Sequence, residues 1–426
     1  MTFSLRLIVW CGLIAMTSAS ARAELVVSTD FENASAAIDG IDQDSGVIRF
    51  RPGGDSRRGW PCWWMFRVDG IEAGRTVTLS LAPSLGALPT ATGAGNEGRP
   101  LDASWSRPPR AFYSTDGGAT WQLTGPVEIV GERSNYRQRI DVTSALFAWG
   151  PPFTVGDAKK LVERIAAAHS FAKPIDLGPS REGRQVPGVV LRDGPAQAEE
   201  RYGIWIQARQ HAWESGGSWV GRGFIEWLVS DDPRAVALRQ KAEIYFVPVM
   251  DVDSVATGNG GKGQHPQDHN RDWTAKPHFP EVAAAQRKIA ELDRAGRFDL
   301  FIDLHNPGPR DVRPFFFASP DDILSPAGRK NLAAFLGAAR SEIKGPLVLA
   351  PEPHTSGPAY SPLWKQISKN WVSTHARPHV VAVTLETSWN TPHSTAEGYQ
   401  TVGRQLGLAI EAYFRTSPRD GAASAQ

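Results

Sequence analysis

Cysteine is almost missing from this chain: only Cys11 and Cys62 are present. Cys11 lies inside an N-terminal apolar stretch that reads as a cleaved leader, which leaves Cys62 without a partner for an internal disulfide. A surplus of either charge is missing too, with 46 Lys and Arg against 45 Asp and Glu. That balance argues against a nucleic-acid-binding protein. No apolar run after the leader is long enough to span a membrane. Neither a Gly-x-Ser-x-Gly elbow nor a His-Glu-x-x-His helix occurs, which removes the serine-hydrolase elbow and leaves no helix pairing two histidine ligands with a glutamate base. The glycine-rich run 258–263 is not a phosphate loop, because no Ser or Thr follows Lys262 where one is required.

Residues 1–23 differ from the rest. Arg6 precedes an apolar core, Leu7 to Met16, and small residues close the stretch at Ala21-Arg22-Ala23. This is the pattern of a secretory signal cleaved after Ala23, and it predicts a periplasmic or secreted protein. Loss of Arg6 and Arg22 lowers the basic residues from 46 to 44 against 45 acids, so the remaining chain is near neutral.

Residues 24–152 read as β-rich, with short strand candidates at 25–28, 46–50, 63–68, 76–81 and 126–130 separated by turn residues. An all-β sandwich is the expected fold there. Trp60, Trp63 and Trp64 read as core or interdomain packing, with a sugar-stacking platform as the bolder alternative. Ser114-Thr115-Asp116-Gly117-Gly118-Ala119-Thr120-Trp121 resembles an Asp-box; a propeller needs such a unit repeated, so a single copy reads as a structural hairpin. After Pro151-Pro152, residues 153–416 alternate between strand and helix patterns. That predicts an α/β domain with a mixed sheet flanked by helices. The tail 417–426 is polar and rich in small residues, and is expected to be disordered.

Two short stretches carry the chemistry. His211-Ala212-Trp213-Glu214 follows the apolar run 203–207, and Asp303-Leu304-His305 ends the run 298–302. In an α/β sheet, ligands bind just beyond the carboxyl ends of strands. His211 and Glu214, three apart, share one face of a turn. With His305 they make two imidazoles and one carboxylate, a catalytic zinc set with a fourth position left open. One zinc ion is therefore expected.

Four features in order resemble the zinc carboxypeptidases of the carboxypeptidase A superfamily. They are His211-Ala212-Trp213-Glu214, His269-Asn270-Arg271-Asp272-Trp273, Asp303-Leu304-His305 and Val383-Thr384-Leu385-Glu386. A β-rich domain ahead of the α/β domain is similar to the cytosolic-carboxypeptidase-like branch. The resemblance implies a carboxypeptidase-like fold, zinc ligands His211, Glu214 and His305, and a catalytic Glu386. It also implies that Asn270 and Arg271 hold the terminal carboxylate of a peptide substrate. An arginine fork suits a carboxylate because it donates two parallel hydrogen bonds. A glutamate beside a metal-activated water can take its proton and pass it to the leaving amine. Asp303 is a candidate for orienting the His305 ring.

Two departures stay open. Residues 251–259 resemble the branch's loop leading to a further arginine, but the cation here is Lys262, at shifted spacing. Tyr360 is the one tyrosine placed like the family's mobile tyrosine, and its neighbours do not match. Trp364, Trp371, His375 and Arg377 are further candidates for shaping the specificity pocket. The expected function is a zinc metallocarboxypeptidase acting on peptides with a free C-terminal carboxylate. The alternatives are a zinc amidohydrolase of peptidoglycan stem peptides or N-acyl amino acids, and a binding module with an inert site.

Overall fold

The computed structural model describes residues 23–89, 98–194, 201–416 and 418–419. The leader core and the last seven residues lie outside these. Two five-stranded sheets come first, and an eight-stranded mixed sheet with helices follows.

The β-rich part is a sandwich. One sheet runs through the strands Val26–Ser28, Met65–Asp69, Ser144–Ala148, Arg110–Ser114 and Gln122–Pro126. The other runs through Ala37–Asp42, Val47–Arg51, Arg75–Leu81, Arg133–Ile140 and Glu128–Val130. Inward residues of both share one core: Phe50 meets Trp64 and Phe66 edge to face, with ring centroids 5.1 and 4.9 Å apart. Trp60, Trp63 and Trp64 are all buried, and Trp63 and Trp64 leave no exposed face for a sugar-stacking platform. The Asp-box stretch closes the hairpin between Arg110–Ser114 and Gln122–Pro126, with the Gly118 N–H donating to Ser114 Oγ at 2.8 Å.

In the second part, the strands Tyr202–Ala208, Ala242–Val247, Leu300–His305 and Val381–Glu386 run parallel at the centre of the sheet. They are almost entirely buried, which is why they read as continuous apolar runs and not as alternating ones. Antiparallel strands flank them on both sides. The expected fold class is found. Among the elements that escaped the pattern reading are the strand Ala172–Pro179 and the helices Pro233–Lys241, Val252–Ala256 and Ser368–His375.

The tail differs from expectation at its start. Pro418 is buried, its carbonyl accepts from Asn331 Nδ2 at 3.2 Å, and Arg419 pairs with Asp299 at 2.6 Å. Asp299 is a buried carboxylate needing a cation, and Arg419 supplies it. Residues 420–426 lie outside the described residues.

The helix Ser215–Leu228, which starts at the first ligand pair, is locked against the helix Ala396–Phe414 through glycines. A Cβ on Gly403 would stand 1.9 Å from the Val220 carbonyl oxygen and 2.6 Å from the Phe224 nitrogen. Alanine gains about 1 kcal/mol of helix propensity over glycine. Overpacking against backbone costs about 1–3 kcal/mol or more, so the clash should win. Gly403→Ala is expected to lower the urea midpoint of unfolding; an unchanged or raised midpoint would show that the two helices separate freely.

Candidate metal centre and substrate cleft

The site is assembled at strand ends. Tyr202–Ala208 ends just before Arg209, whose φ of +64° turns the chain sharply into the ligand turn. A non-glycine residue in this region carries strain that surrounding contacts must hold. Here the fully buried Arg209 guanidinium does so, donating to the Ala212 and Phe153 carbonyls at 2.9 and 3.1 Å. Burial pushes its pKa down to about 9, against the opposing pull of the Glu214 and Asp251 charges. His211 to Glu214 then form a turn closed by Glu214 N–H to His211 carbonyl at 3.2 Å.

His305 ends the neighbouring strand, and Glu386 is its direct Cα partner on the next one. Parallel pairing therefore puts a proposed ligand and the proposed base side by side. The structure brings His211, Glu214 and His305 together in a buried cluster, with candidate ligand atoms within 4.8 Å of one another.

The hydrogen-bond pattern tests whether a metal fits. His211 Nδ1 lies 2.8 Å from Glu214 Oε1, and His305 Nδ1 lies 2.6 Å from Glu214 Oε2. The other ring nitrogens face carboxylates: His211 Nε2 is 3.2 Å from Asp268, and His305 Nε2 is 3.0 Å from Asp303. Neutral imidazoles donating outward to those acids turn both Nδ1 lone pairs toward the Glu214 carboxylate. Acceptors cannot face acceptors in a buried site without a cation between them. A proton on each ring meets the need, and so does one divalent ion. The set fits zinc in donor type, and the outer carboxylates fix the ligating tautomer.

The electrostatics agree. Burial alone would raise the Glu214 carboxyl, but the two imidazoles hold it well below its usual range. Burial would lower His305, yet Asp303 and Glu214 raise it well above the ordinary histidine value. Asp268 is likewise held low against its burial, by His211, Arg271 and Lys262. Glu386 behaves oppositely: burial pushes it up to about 8, and Oε2 is buried with no hydrogen-bond partner.

Two cavities that share Arg271 and Glu386 in their lining adjoin this cluster. The inner one, about 20 Å³, is lined by His211, His305, Asn270, Arg271, Lys369 and Glu386, among others. The outer one, about 330 Å³, is lined by Glu214, Glu386 and Arg271 together with Trp60, Trp105, Phe315 and His354. Lys262, Phe317 and Tyr360 line both.

Of the residues singled out in the sequence, Arg271, Lys262 and Tyr360 line both cavities and Asn270 the inner one, in differing postures. Arg271 is buried and donates to the Ser361 hydroxyl at 3.3 Å, with its guanidinium 5.7 Å from the Tyr360 ring centroid. Asn270 accepts the Ser368 N–H at 3.0 Å, and its amide nitrogen is 3.3 Å from His305 Nε2. Lys262 lies over the Trp60 ring at 5.3 Å, with no ion pair among the described residues. Tyr360 is 48% exposed, leaving it room to move. Trp364, Trp371, His375 and Arg377 line neither cavity; Trp371 and His375 stack on each other instead.

Sequence reasoning missed two residues that matter. Asp268, next to the Asn-Arg pair, braces His211 and could have been found from that adjacency. Lys369 is fully buried, held by Ser356 Oγ at 2.5 Å and Asn370 Oδ1 at 2.7 Å. Burial, then Arg271, presses its pKa well below the usual lysine value. No carboxylate pairs with it among the described residues, and no pattern in the sequence marked it.

Residues 159–315 match the family model Peptidase_M14, zinc carboxypeptidase. That match includes the three ligand candidates and Arg271 and ends before Glu386. Cytosolic carboxypeptidase 1 of Danio rerio is 29% identical over 174 residues, which is 37% of this chain and 15% of that protein. Cytosolic carboxypeptidase 2 of Homo sapiens is 30% identical over 173 residues, 39% of this chain and 19% of that protein. The chain thus aligns with only a small part of these relatives. An uncharacterized protein from Zymomonas mobilis is 26% identical over 298 residues, covering 68% of this chain and 70% of that one. In fold, a metallo-carboxypeptidase from Burkholderia cenocepacia superposes with a TM-score of 0.76 at 21% identity, covering 92% of this chain and all of that one. One from Pseudomonas aeruginosa gives 0.70 at 20% identity, covering 92% and 99%. These likenesses establish the carboxypeptidase-like fold across the β-rich and α/β parts together.

Zinc should stabilise the protein by mass action, by about 2.7 kcal/mol at a hundredfold excess over Kd. Glu214→Gln should lose most of that thermal shift, because the buried anion that the cation neutralises is gone. An equal zinc shift in both proteins would place the ion elsewhere.

Proposed function

We propose that this chain, whose α/β domain matches the zinc carboxypeptidase family over residues 159–315, is a zinc metallocarboxypeptidase that removes C-terminal residues from peptides. The observation that carries the reading is the convergence in one cleft of the His211–Glu214–His305 cluster, the unpartnered Glu386 carboxylate and the buried Arg271. His211, Glu214 and His305 would hold the ion. When bound, zinc supplies Lewis acidity toward the scissile carbonyl and makes a nearby water more acidic.

The chain's own residues do the rest. Arg271 presents its planar fork to the terminal carboxylate, which displaces the Tyr360 ring now lying over it. Asn270 lines the same inner cavity. Glu386, with its free oxygen buried beside His305, accepts a proton from the attacking water. It returns that proton to the amine as the C–N bond breaks. Peptide and water become a shortened peptide and a free amino acid. Lys262 adds positive charge on the scissile-bond side of both cavities, as a point charge without an arginine's fork.

Lys369 supports a finer reading. A buried lysine with two neutral acceptors and no carboxylate partner among the described residues favours an anionic terminal side chain, which would restore its positive charge, once Tyr360 has moved to enlarge the inner cavity. Export follows from the pattern of residues 1–23 and remains part of the proposal; residues 1–22 lie outside the described residues.

Two experiments test this. A defined peptide library digested by the zinc-loaded protein should release single C-terminal residues, inhibited by chelator. Glu386→Gln should cut kcat at least a hundredfold while zinc binding persists. Release confined to muropeptides or N-acyl amino acids would favour the amidohydrolase alternative instead. Separately, acidic C-terminal residues should be preferred over neutral isosteres by about tenfold or more, and Lys369→Met should erase that ratio. An unchanged ratio in the variant would remove Lys369 from specificity.

A further inference from the structure

The cleft is not built by the α/β part alone. Trp60 and Trp105 come from the β-sandwich, yet both line the outer cavity beside Glu214, Glu386 and Arg271. Their rings meet edge to face at 4.8 Å, and Trp105 meets Trp213, the neighbour of Glu214, at 5.8 Å. Trp105 also approaches the loop after His305: a Cβ on Gly308 would lie 3.6 Å from its ring. Phe315 and Phe317 line the same cavity, with His354 4.1 Å from the Phe315 ring.

The two cavities give a bound peptide its direction. Asn270, Lys369, Ile367 and Thr384 line the inner cavity only, whereas Trp60, Trp105, Phe315 and His354 line the outer one only. Arg271 and Glu386 line both. With the terminal carboxylate on Arg271 and the scissile bond at Glu386, the terminal side chain points inward. The residue before the scissile bond must then lie in the outer cavity, between aromatic walls from two domains. This argument rests on the carboxypeptidase reading above.

We infer that the β-sandwich supplies the subsite for the penultimate residue of the substrate, through Trp60 and Trp105, and that this subsite selects an aromatic or large apolar side chain. Its volume of about 330 Å³ is at the lower end for small-ligand pockets and suits one such side chain with its backbone. Aromatic rings favour edge and offset contacts with another ring, and Trp60, Trp105, Phe315 and Phe317 in the lining offer such partners. The β-sandwich is thereby a specificity element as well as a support.

The test uses the full zinc-loaded protein and N-acetyl dipeptides that share one C-terminal residue and carry Gly, Leu or Phe before it. The expected kcat/KM order is Phe and Leu above Gly by about tenfold or more, the scale on which an apolar pocket discriminates. Trp105→Ala should bring the Phe-to-Gly ratio down toward one, chiefly through KM for the Phe substrate. Trp105→Leu, which keeps apolar bulk, should lower the Phe ratio more than the Leu ratio. Chelator-sensitive cleavage with a ratio near one in the wild type would overturn this inference and leave the carboxypeptidase reading intact. So would an unaltered ratio in both variants. No cleavage of any dipeptide or longer peptide would overturn the reading itself, and the subsite with it.

Discussion

The Glu214 carboxylate is the constraint around which the α/β part is built. It is buried, it receives the Asn306 N–H at 3.1 Å, and it faces two imidazole nitrogens at bonding distance. Burying that anion is costly unless a cation meets it. The rings cannot turn their outer N–H groups inward without abandoning Asp268 and Asp303. Those acids are themselves pinned: Asp268 accepts the Gly263 and Asn270 N–H groups, and Asp303 accepts from Ser368 and Gln210. Gln210 is held in turn by Trp273 Nε1 at 2.7 Å. Each contact removes one freedom from the ligand set, so the cluster presents its donor atoms in a fixed posture.

Strand register converts this local demand into a site. His305 and Glu386 are paired positions on adjacent parallel strands, so their side chains emerge at the same level of the sheet. This explains how much of the site was legible in the sequence. His211, Glu214, His305 and Glu386 stand at the ends of apolar runs, and the end of such a run is a place as well as a pattern. Lys369 had no such mark. Its burial comes from the docking of the short helix Ser368–His375, whose sequence is polar and whose apolar stripe is thin. The aromatic neighbours that looked more promising, Trp371 and His375, satisfy each other away from the cleft.

The β-sandwich was legible as a class and poorly legible in detail. Strands such as Arg133–Ile140 carry mostly polar and charged residues with only every few positions buried, so the alternation is easily lost. The role of Trp105 was invisible for a different reason. A residue in a short turn of one domain becomes a wall of the other domain's cleft only through the way the two pack. Trp149, Trp213 and Trp389 show the same effect: they join the sandwich core, the ligand turn and the chain beyond Glu386 in one aromatic group, with ring centroids 4.6 to 6.3 Å apart.

That packing also decides how a substrate gains entry. A hinge between the parts would have to break the hydrogen bonds Asn33 to Ala256, Asp55 to Asn259, Trp60 to Lys262, Gly261 to Arg58 and His265 to Arg57. At about 1 kcal/mol net each, these oppose opening before any aromatic contact is lost. The backbone adds to the resistance: Gly59, at φ +116°, sits so close that a Cβ there would meet the Gly261 nitrogen at 2.2 Å. Tyr360 is half-exposed and touches Arg271 and Phe317 only through its ring. Rotating one such side chain costs far less than parting two domains. On the proposed reading, substrate entry would therefore need only a local movement of Tyr360, with the β-sandwich kept in place as one wall of the cleft.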